Sequence, residues 1–261
     1  MSVHNTAIID EGAQIGNASI GAFCHVGSDV ILHDDVVLQN NVTVKGATEI
    51  GARTIVHPFS VLGGPPQHLG CNGEGTHLKI GSDNIIREHV TMNRGTIAGG
   101  GTTSVGNNGF YMAGAHVAHD CNIGNNVIFA NNATLGGHVQ VGDFAFLGGL
   151  CAIHQFCRIG DYAFVGGCAA VAGDIIPFGS AIGNHAYLVG LNIIGLKRRG
   201  FSRQEIFNLR AAYRLLFDGD QTFKERVAAV REKHGDCPKV ISILEFIEKG
   251  DSRPLMTPER H

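Results

Sequence analysis

Apolar residues recur along the chain every six positions. Ile20, Val26, Leu32, Leu38, Val44, Ile50, Val56 and Leu62 fall in one phase without exception, and Ile80, Ile86 and Met92 keep the spacing. The series resumes at Val105 and runs through Tyr111, Val117, Ile123, Phe129, Leu135, Val141, Leu147, Ile153, Ile159 and Val165 to Val171. The residue after each is usually small, as at Gly106, Ala118, Gly124 and Gly136, and so is the one two places before, as at Ala115, Cys121, Ala133 and Cys151. An amphipathic helix repeats every 3.6 residues and a half-buried strand every two, so neither accounts for this series. A fixed period of this kind marks a repeat architecture. Each hexapeptide reads as a short strand and a turn, its large apolar side chain pointing inward and its small residues letting the backbone turn. Three hexapeptides close a triangular coil of 18 residues. Successive coils then stack as parallel strands roughly 4.8 Å apart. The expectation is a mainly β chain, with a parallel β-helix over residues 1–190.

Two segments break the period, Gly63–Lys79 and Thr96–Ser104. Both are expected to be loops thrown out of the coil, and loops carried on a rigid scaffold often hold function. Beyond about Gly190 the repeat stops, and residues 191–261 read as a helical domain. Ser202 with Glu205, and Thr222 with Glu225, each have the spacing of a capping box that opens a helix. Ile206, Leu209, Tyr213 and Leu216 make one apolar face of the first of these. Val240, Ile243, Leu244 and Ile247 predict a third helix after Pro238.

Composition agrees with a solenoid. The 37 glycines have no collagen period and so imply many tight turns, while 16% charged residues is too few for a disordered chain. The seven cysteines are scattered without CxxC pairs, which suits reduced thiols in small core slots better than disulfides or zinc ligands. The N-terminal MSVHNTAIIDEGAQIG has neither a basic nor an apolar leader region, and no apolar run reaches bilayer length. A cytoplasmic protein without a transmembrane segment is expected. Charge is uneven: residues 197–261 hold 14 of the 20 Lys and Arg and 10 of the 23 acids, against a net of −7 in the remainder. The C-terminal part therefore suits an acidic partner. No P-loop, dinucleotide fingerprint or GxSxG elbow occurs in a suitable setting, so neither a cofactor nor a nucleic-acid partner is expected.

Reading the chain in coils of 18 turns spacing into geometry. His119, Gly137 and Gln155 form one column, and Asp120 and His138 the neighbouring one, with His116 and His154 close in phase. A second column is expected through Asn131, Gly149, Gly167 and His185. A lone histidine in a turn is commonly just a solvated residue. A cluster that includes His119-Asp120 instead suggests a general base working near neutral pH. Cys121 occupies the small inward slot and reads as core rather than nucleophile.

AHVAHDC, ANNATLGGHV, AIHQFC and NIIGLKRRGFS, in this order, resemble the UDP-N-acetylglucosamine 3-O-acyltransferases of lipid A biosynthesis, and the resemblance covers the whole chain. It implies a left-handed β-helix with a C-terminal α-helical domain, the hand running against the usual crossover rule. It implies a homotrimer with sites in clefts between subunits, and a 3-hydroxyacyl donor carried by acyl carrier protein. His119 would take the proton from the sugar's 3-position without an acyl-enzyme, Asp120 would support His119, and the Gly137 N–H would stabilise the oxyanion. His68, His116, His138, His154, Gln155 and His185 would contact substrate, Gly167 would leave room for a longer acyl chain, and Asn192, Arg198 and Arg199 would meet the uridine diphosphate.

The chain departs from the family pattern where Gln67 is followed by His68-Leu69-Gly70 in place of an Asp and Lys two residues apart. Asn192-Ile193-Ile194-Gly195 lacks the family's carboxylate, and Asn93 stands where some relatives have His. These changes leave open a 3-amino analogue of the sugar as acceptor, giving an amide rather than an ester. Two further readings stay open: a carbonic-anhydrase-like hydratase with histidine-bound zinc, though His116 and His119 are closer than that family's characteristic pair, and a non-catalytic solenoid.

Overall fold

All 23 in-phase apolar residues, from Ile20 to Val171, are buried in one continuous core. In the computed structural model, which describes residues 1–71, 75–250 and 252–259, they line the inside of a left-handed parallel β-helix. Its strands, most of them two residues long, form three faces: sheets of 11, 9 and 8 strands. The register confirms the coil length, since Ile123 pairs with Val141 and Val141 with Ile159. At two places the step is longer, Val56 pairing with Ile86 and Ile86 with Tyr111, and there the two predicted loops leave the coil.

Both loops are shorter than the break in periodicity suggests. Strands Val61–Gly64 and His77–Ile80 claim the ends of the first. Residues 72–74 of that loop lie outside those described. In the second, a 3₁₀ turn at Ile97–Gly99 is followed directly by a strand at Thr102–Val105.

Most corners hold one residue in the left-handed region, and many of these are not glycine. Asp120 (φ 59°), His138 (φ 61°) and Phe156 (φ 67°) occupy successive turns of one corner, and Phe144, Tyr162 and Phe178 do so at another. Left-handed backbone costs about 1–2 kcal/mol per residue. Here the stacked coils hold it in place and the rings stack on one another, Phe144 to Tyr162 at 4.7 Å and Tyr162 to Phe178 at 5.7 Å between centroids.

The helix closes irregularly. Val165 pairs with Ala181, two residues short of a full coil. Strand Gly179–Ile182 then pairs antiparallel with Tyr187–Leu191, so the last strand runs past the expected end of the repeat at 190. Four helices follow among the described residues: α1 (Ile193–Arg198), α2 (Arg203–Phe217), α3 (Phe223–His234) and α4 (Pro238–Glu248). Both capping boxes are formed, and Ile206, Leu209, Ala212 and Leu216 are the buried face of α2. Helix α1, six residues long, is too short to carry a periodic signal in the sequence. The helices dock through Phe201, edge-on to Tyr162, and through the buried Arg158–Asp174 ion pair, whose guanidinium also faces Phe246. The tail returns to the β-helix, Leu255 bridging to Asp174 and Pro258 to Leu188.

Candidate functional site

The corner between the nine- and eight-stranded sheets gathers the polar groups. Its turns follow the strands His116–Val117, Thr134–Leu135 and Ala152–Ile153, so residues 119, 137 and 155 come one above another. His119 Nδ1–H donates to Asp120 Oδ2 at 2.8 Å, the carboxylate partner fixing that tautomer. Asp120 is almost wholly enclosed, its side chain 1% exposed. Thr96 supplies two more donors, its N–H to Oδ1 at 2.8 Å and its hydroxyl to Oδ2 at 2.7 Å. The Asp120 N–H is in turn taken by the Thr103 hydroxyl at 2.8 Å.

Other rings crowd this pair. His138 stands edge-on to His119 with centroids 5.2 Å apart, Nε2 3.6 Å from Asp120 Oδ2, and stacks on Phe156 at 4.4 Å. His68, from the first loop, meets the His119 ring edge-on at 5.6 Å. His116 is held by Thr91, Nδ1 to Oγ1 at 2.7 Å. Gly137 lies against the flat of the His119 ring, and among the described residues its N–H has no acceptor.

Burial opposes the Asp120 charge, but the donors on Thr96 and His119, with the charge of His138, outweigh it and hold the carboxyl below its usual value. Burial lowers His138, and the charges of His119 and His68 add to it, overriding the attraction of Asp120. Burial likewise lowers His116, with His119 contributing. The site thus sets a carboxylate that favours its charged form beside two imidazoles, His116 and His138, whose charged forms burial opposes.

Not every expected residue joins this cluster. Gln155 follows in the column, with the Phe156 N–H bonded to the Gly137 carbonyl. Asn131, Gly149 and Gly167 stack as expected, through Leu150 N–H to Asn131 and Cys168 N–H to Gly149. His185 does not continue that column. The shortened coil and the turn at 183–186 move it beside Ala170, where it lines a cavity of about 640 Å³ with His154, Tyr187 and Leu255. Asn192, Arg198 and Arg199 lie at another corner, lining a cavity of about 720 Å³ with Phe144 and Tyr162. Asn192 caps α1 through Gly195 N–H and donates to the Tyr162 carbonyl, so its amide also anchors the helix.

The family model described as Udp N-acetylglucosamine O-acyltransferase, Domain 2, matches residues 174–256. Over 261 residues the chain is 55% identical to the acyl-[acyl-carrier-protein]–UDP-N-acetylglucosamine O-acyltransferase of Caulobacter vibrioides, covering 100% of this chain and 99% of the relative. The chain belongs to that acyltransferase family. A second member, from Azorhizobium caulinodans, is 57% identical over 98% of this chain and 97% of its own. The solved UDP-N-acetylglucosamine acyltransferase from Campylobacter jejuni superposes with a TM-score of 0.93 at 37% identity, over 99% of this chain and 100% of that one.

In this acyltransferase Cys121 is fully buried, and burial pushes its thiol up to about 12, which removes it as a nucleophile. His119, Asp120 and His138 bring ligand-type atoms within 4.8 Å of one another, but both Asp120 oxygens already accept from Thr96 or His119. Sequence reasoning missed Thr96, Phe156 and Arg253, whose Nε–H donates to the Gln155 carbonyl at 2.9 Å. Phase would have found Phe156, one coil beyond His138. Thr96 and Arg253 carry no phase, because one sits in an insertion and the other in the tail.

Proposed function

We propose that this acyltransferase moves a 3-hydroxyacyl group from acyl carrier protein to the 3-hydroxyl of UDP-N-acetylglucosamine, with His119 as general base. The observation that carries this reading is the His119–Asp120 hydrogen bond. It commits Nδ1–H to a buried carboxylate and leaves the Nε2 lone pair free for a proton. Nε2 takes the sugar hydroxyl proton as the oxygen attacks the thioester carbonyl. The tetrahedral oxyanion is stabilised by the Gly137 N–H. Collapse expels the carrier thiolate, which takes the proton back from the imidazolium, and no acyl-enzyme forms. Asp120 stabilises the imidazolium while it exists. His68, His116, His138 and Gln155 hold the sugar. The cavity beside His154 and His185, apolar at Ala152, Ala170 and Val171, suits the acyl chain.

Asn192, Arg198 and Arg199 stand at a different corner from His119, so one chain alone does not complete a nucleotide-sugar site. That separation supports a homotrimer in which these residues meet the diphosphate bound beside His119 of a neighbour. Exposed Phe23, Phe59 and Leu150 at a third corner leave apolar surface for such contacts. Exposed Lys197, Arg198, Arg199 and Arg203 suit the acidic carrier protein. No helix among the described residues is long and apolar enough to cross a membrane, and the buried free thiols agree with a cytoplasmic setting.

The 3-amino sugar is the second reading. It is favoured by His68, an imidazole against His119 in place of the family's acid, and by Gly70 in place of its lysine. A cation beside an amine acceptor would hinder it electrostatically if the amine were protonated. Purified enzyme assayed with both UDP-sugars and a series of 3-hydroxyacyl carrier proteins decides between them. Ester formation is expected, and amide formation alone would replace the first reading with the second. Stoichiometric zinc on the purified protein, removed together with activity by chelation, would sink both.

A further inference from the structure

The second loop is bound to the proposed base through a single carboxylate. Thr96 opens that loop and is itself buried. Its N–H and its hydroxyl reach different oxygens of Asp120 at 2.8 and 2.7 Å, so the carboxylate is gripped at both ends. The same hydroxyl accepts from Gly99 N–H at 3.0 Å, which closes the 3₁₀ turn around it. The loop then packs onto the acid with no room to spare. A Cβ on Gly99 would come within 2.2 Å of Asp120 Cγ, and one on Gly95 within 2.9 Å of Oδ1. From below, Thr103 takes the Asp120 N–H. A carboxylate held at one oxygen can rotate about its last bond, whereas one held at both cannot, and the orientation of Oδ2 sets that of the His119 ring.

We propose that Thr96 is a positioning residue for acyl transfer, orienting Asp120 and through it the His119 imidazole. The inference rests on His119 being the base. Thr96 touches neither reacting atom. Its contribution is to keep a buried carboxylate ionised and aimed, so that Nδ1–H stays bonded and Nε2 stays available. Titratable groups facing the pair are His138 and His68, packed edge-on to the His119 ring, His116, coupled electrostatically to His119, and the buried Cys121 thiol beside Asp120. Loss of the Thr96 hydroxyl removes a donor from the charged carboxylate. Asp120 then protonates at a higher pH, which moves the acid limb of the rate profile upward.

The test is a double-mutant cycle on the full-length enzyme with Thr96→Val, Asp120→Asn and the pair, assayed with 3-hydroxyacyl carrier protein and UDP-N-acetylglucosamine. Thr96→Val is expected to lower kcat about 10- to 100-fold, leave both KM values within about twofold, and shift the acid limb upward. Thr96→Ser should recover most of that loss. In the Asp120→Asn background Thr96→Val should cost little more, because its effect is already gone. Losses that multiply across the cycle, or a Thr96→Val enzyme with unchanged kcat and acid limb, would overturn the proposal. A variant that fails through folding multiplies its loss in both backgrounds and so counts against it. Full activity in His119→Ala would instead remove the base assignment, an outcome separate from these.

Discussion

Gly137 lies so close to the His119 imidazole that a Cβ there would stand 2.5 Å from Cε1 and 2.8 Å from Nε2. No ordinary carbon contact is that short, so any side chain at 137 must push the ring or the turn aside. The same residue presents the N–H proposed for the oxyanion. Gly137→Ala should therefore lower kcat by about 100-fold and also lower the melting temperature, because the position is buried and the added carbon must displace its neighbours. Wild-type kcat in a folded Gly137→Ala enzyme would show that neither the ring position nor this N–H matters.

The Asp120 carboxyl is held below its usual value, so its ionised form stabilises the fold at ordinary pH. That stabilisation is fully present above the unfolded carboxylate pKa and is lost as pH falls through the folded one. Asp120→Asn should melt lower than wild type at neutral pH, and the gap should shrink on acidification below about pH 4. Melting curves at several pH values check this, and a gap that widens in acid would contradict it. The same variant should lose activity by about 100-fold or more, since an amide at this place can leave the imidazole in the wrong tautomer.

Burial of Cys121 makes a second chemical prediction. A thiol pushed up to about 12 has little thiolate at pH 8. Alkylation of the folded enzyme should leave Cys121 unmodified by mass spectrometry. Cys121→Ala should keep its activity while losing some stability. Loss of turnover in a stable Cys121→Ala enzyme would reopen covalent catalysis.

How far the sequence could be read depends on whether a residue belongs to the coil. Ile20 to Val171 declare the core because an inward side chain returns every sixth residue, and the 18-residue step places His119 beside Gly137 before any coordinates are known. The Ser202 and Thr222 caps are local and equally plain. Phase fails where the coil changes length. His185 leaves the Gly167 column because the last coil is short, and Thr96 reaches Asp120 from an insertion that no spacing rule ties to it. Arg253 meets Gln155 from the far end of the chain. Long-range packing sets such contacts, and no local pattern records it.

Gly167 is open on its outer side, where a Cβ would meet only the Gly149 carbonyl at 3.3 Å. A larger residue there stands at the turn before the strand Ala170–Val171, whose residues line the cavity proposed for the acyl chain, and can reach its edge. Gly167→Met should shift donor preference toward shorter 3-hydroxyacyl chains, by roughly tenfold or more in relative kcat/KM for a chain several methylenes shorter. Competition between carrier proteins of different chain length measures this. Unchanged preference would place the chain end elsewhere, with Leu255 and His185 the next residues to alter.

The last prediction concerns the distance between the two clusters. His119 sits at one corner of the β-helix and Arg199 at another, where its guanidinium faces the Phe144 ring at 4.7 Å. If the diphosphate bound beside His119 is met by Arg199 of a neighbour, each site takes one residue from each of two chains. His119→Ala and Arg199→Ala enzymes should each be impaired, the first by about 100-fold or more and the second by about tenfold or more through a lost charged hydrogen bond. Co-expressed with different tags and purified as mixed oligomers, they should regain activity. For random trimers about a quarter of the sites would be intact. A site built within a single chain gives no such recovery, since every chain carries one of the two defects. Activity of the mixture equal to the average of the separate variants would therefore rule out a shared site, even if the protein proves trimeric.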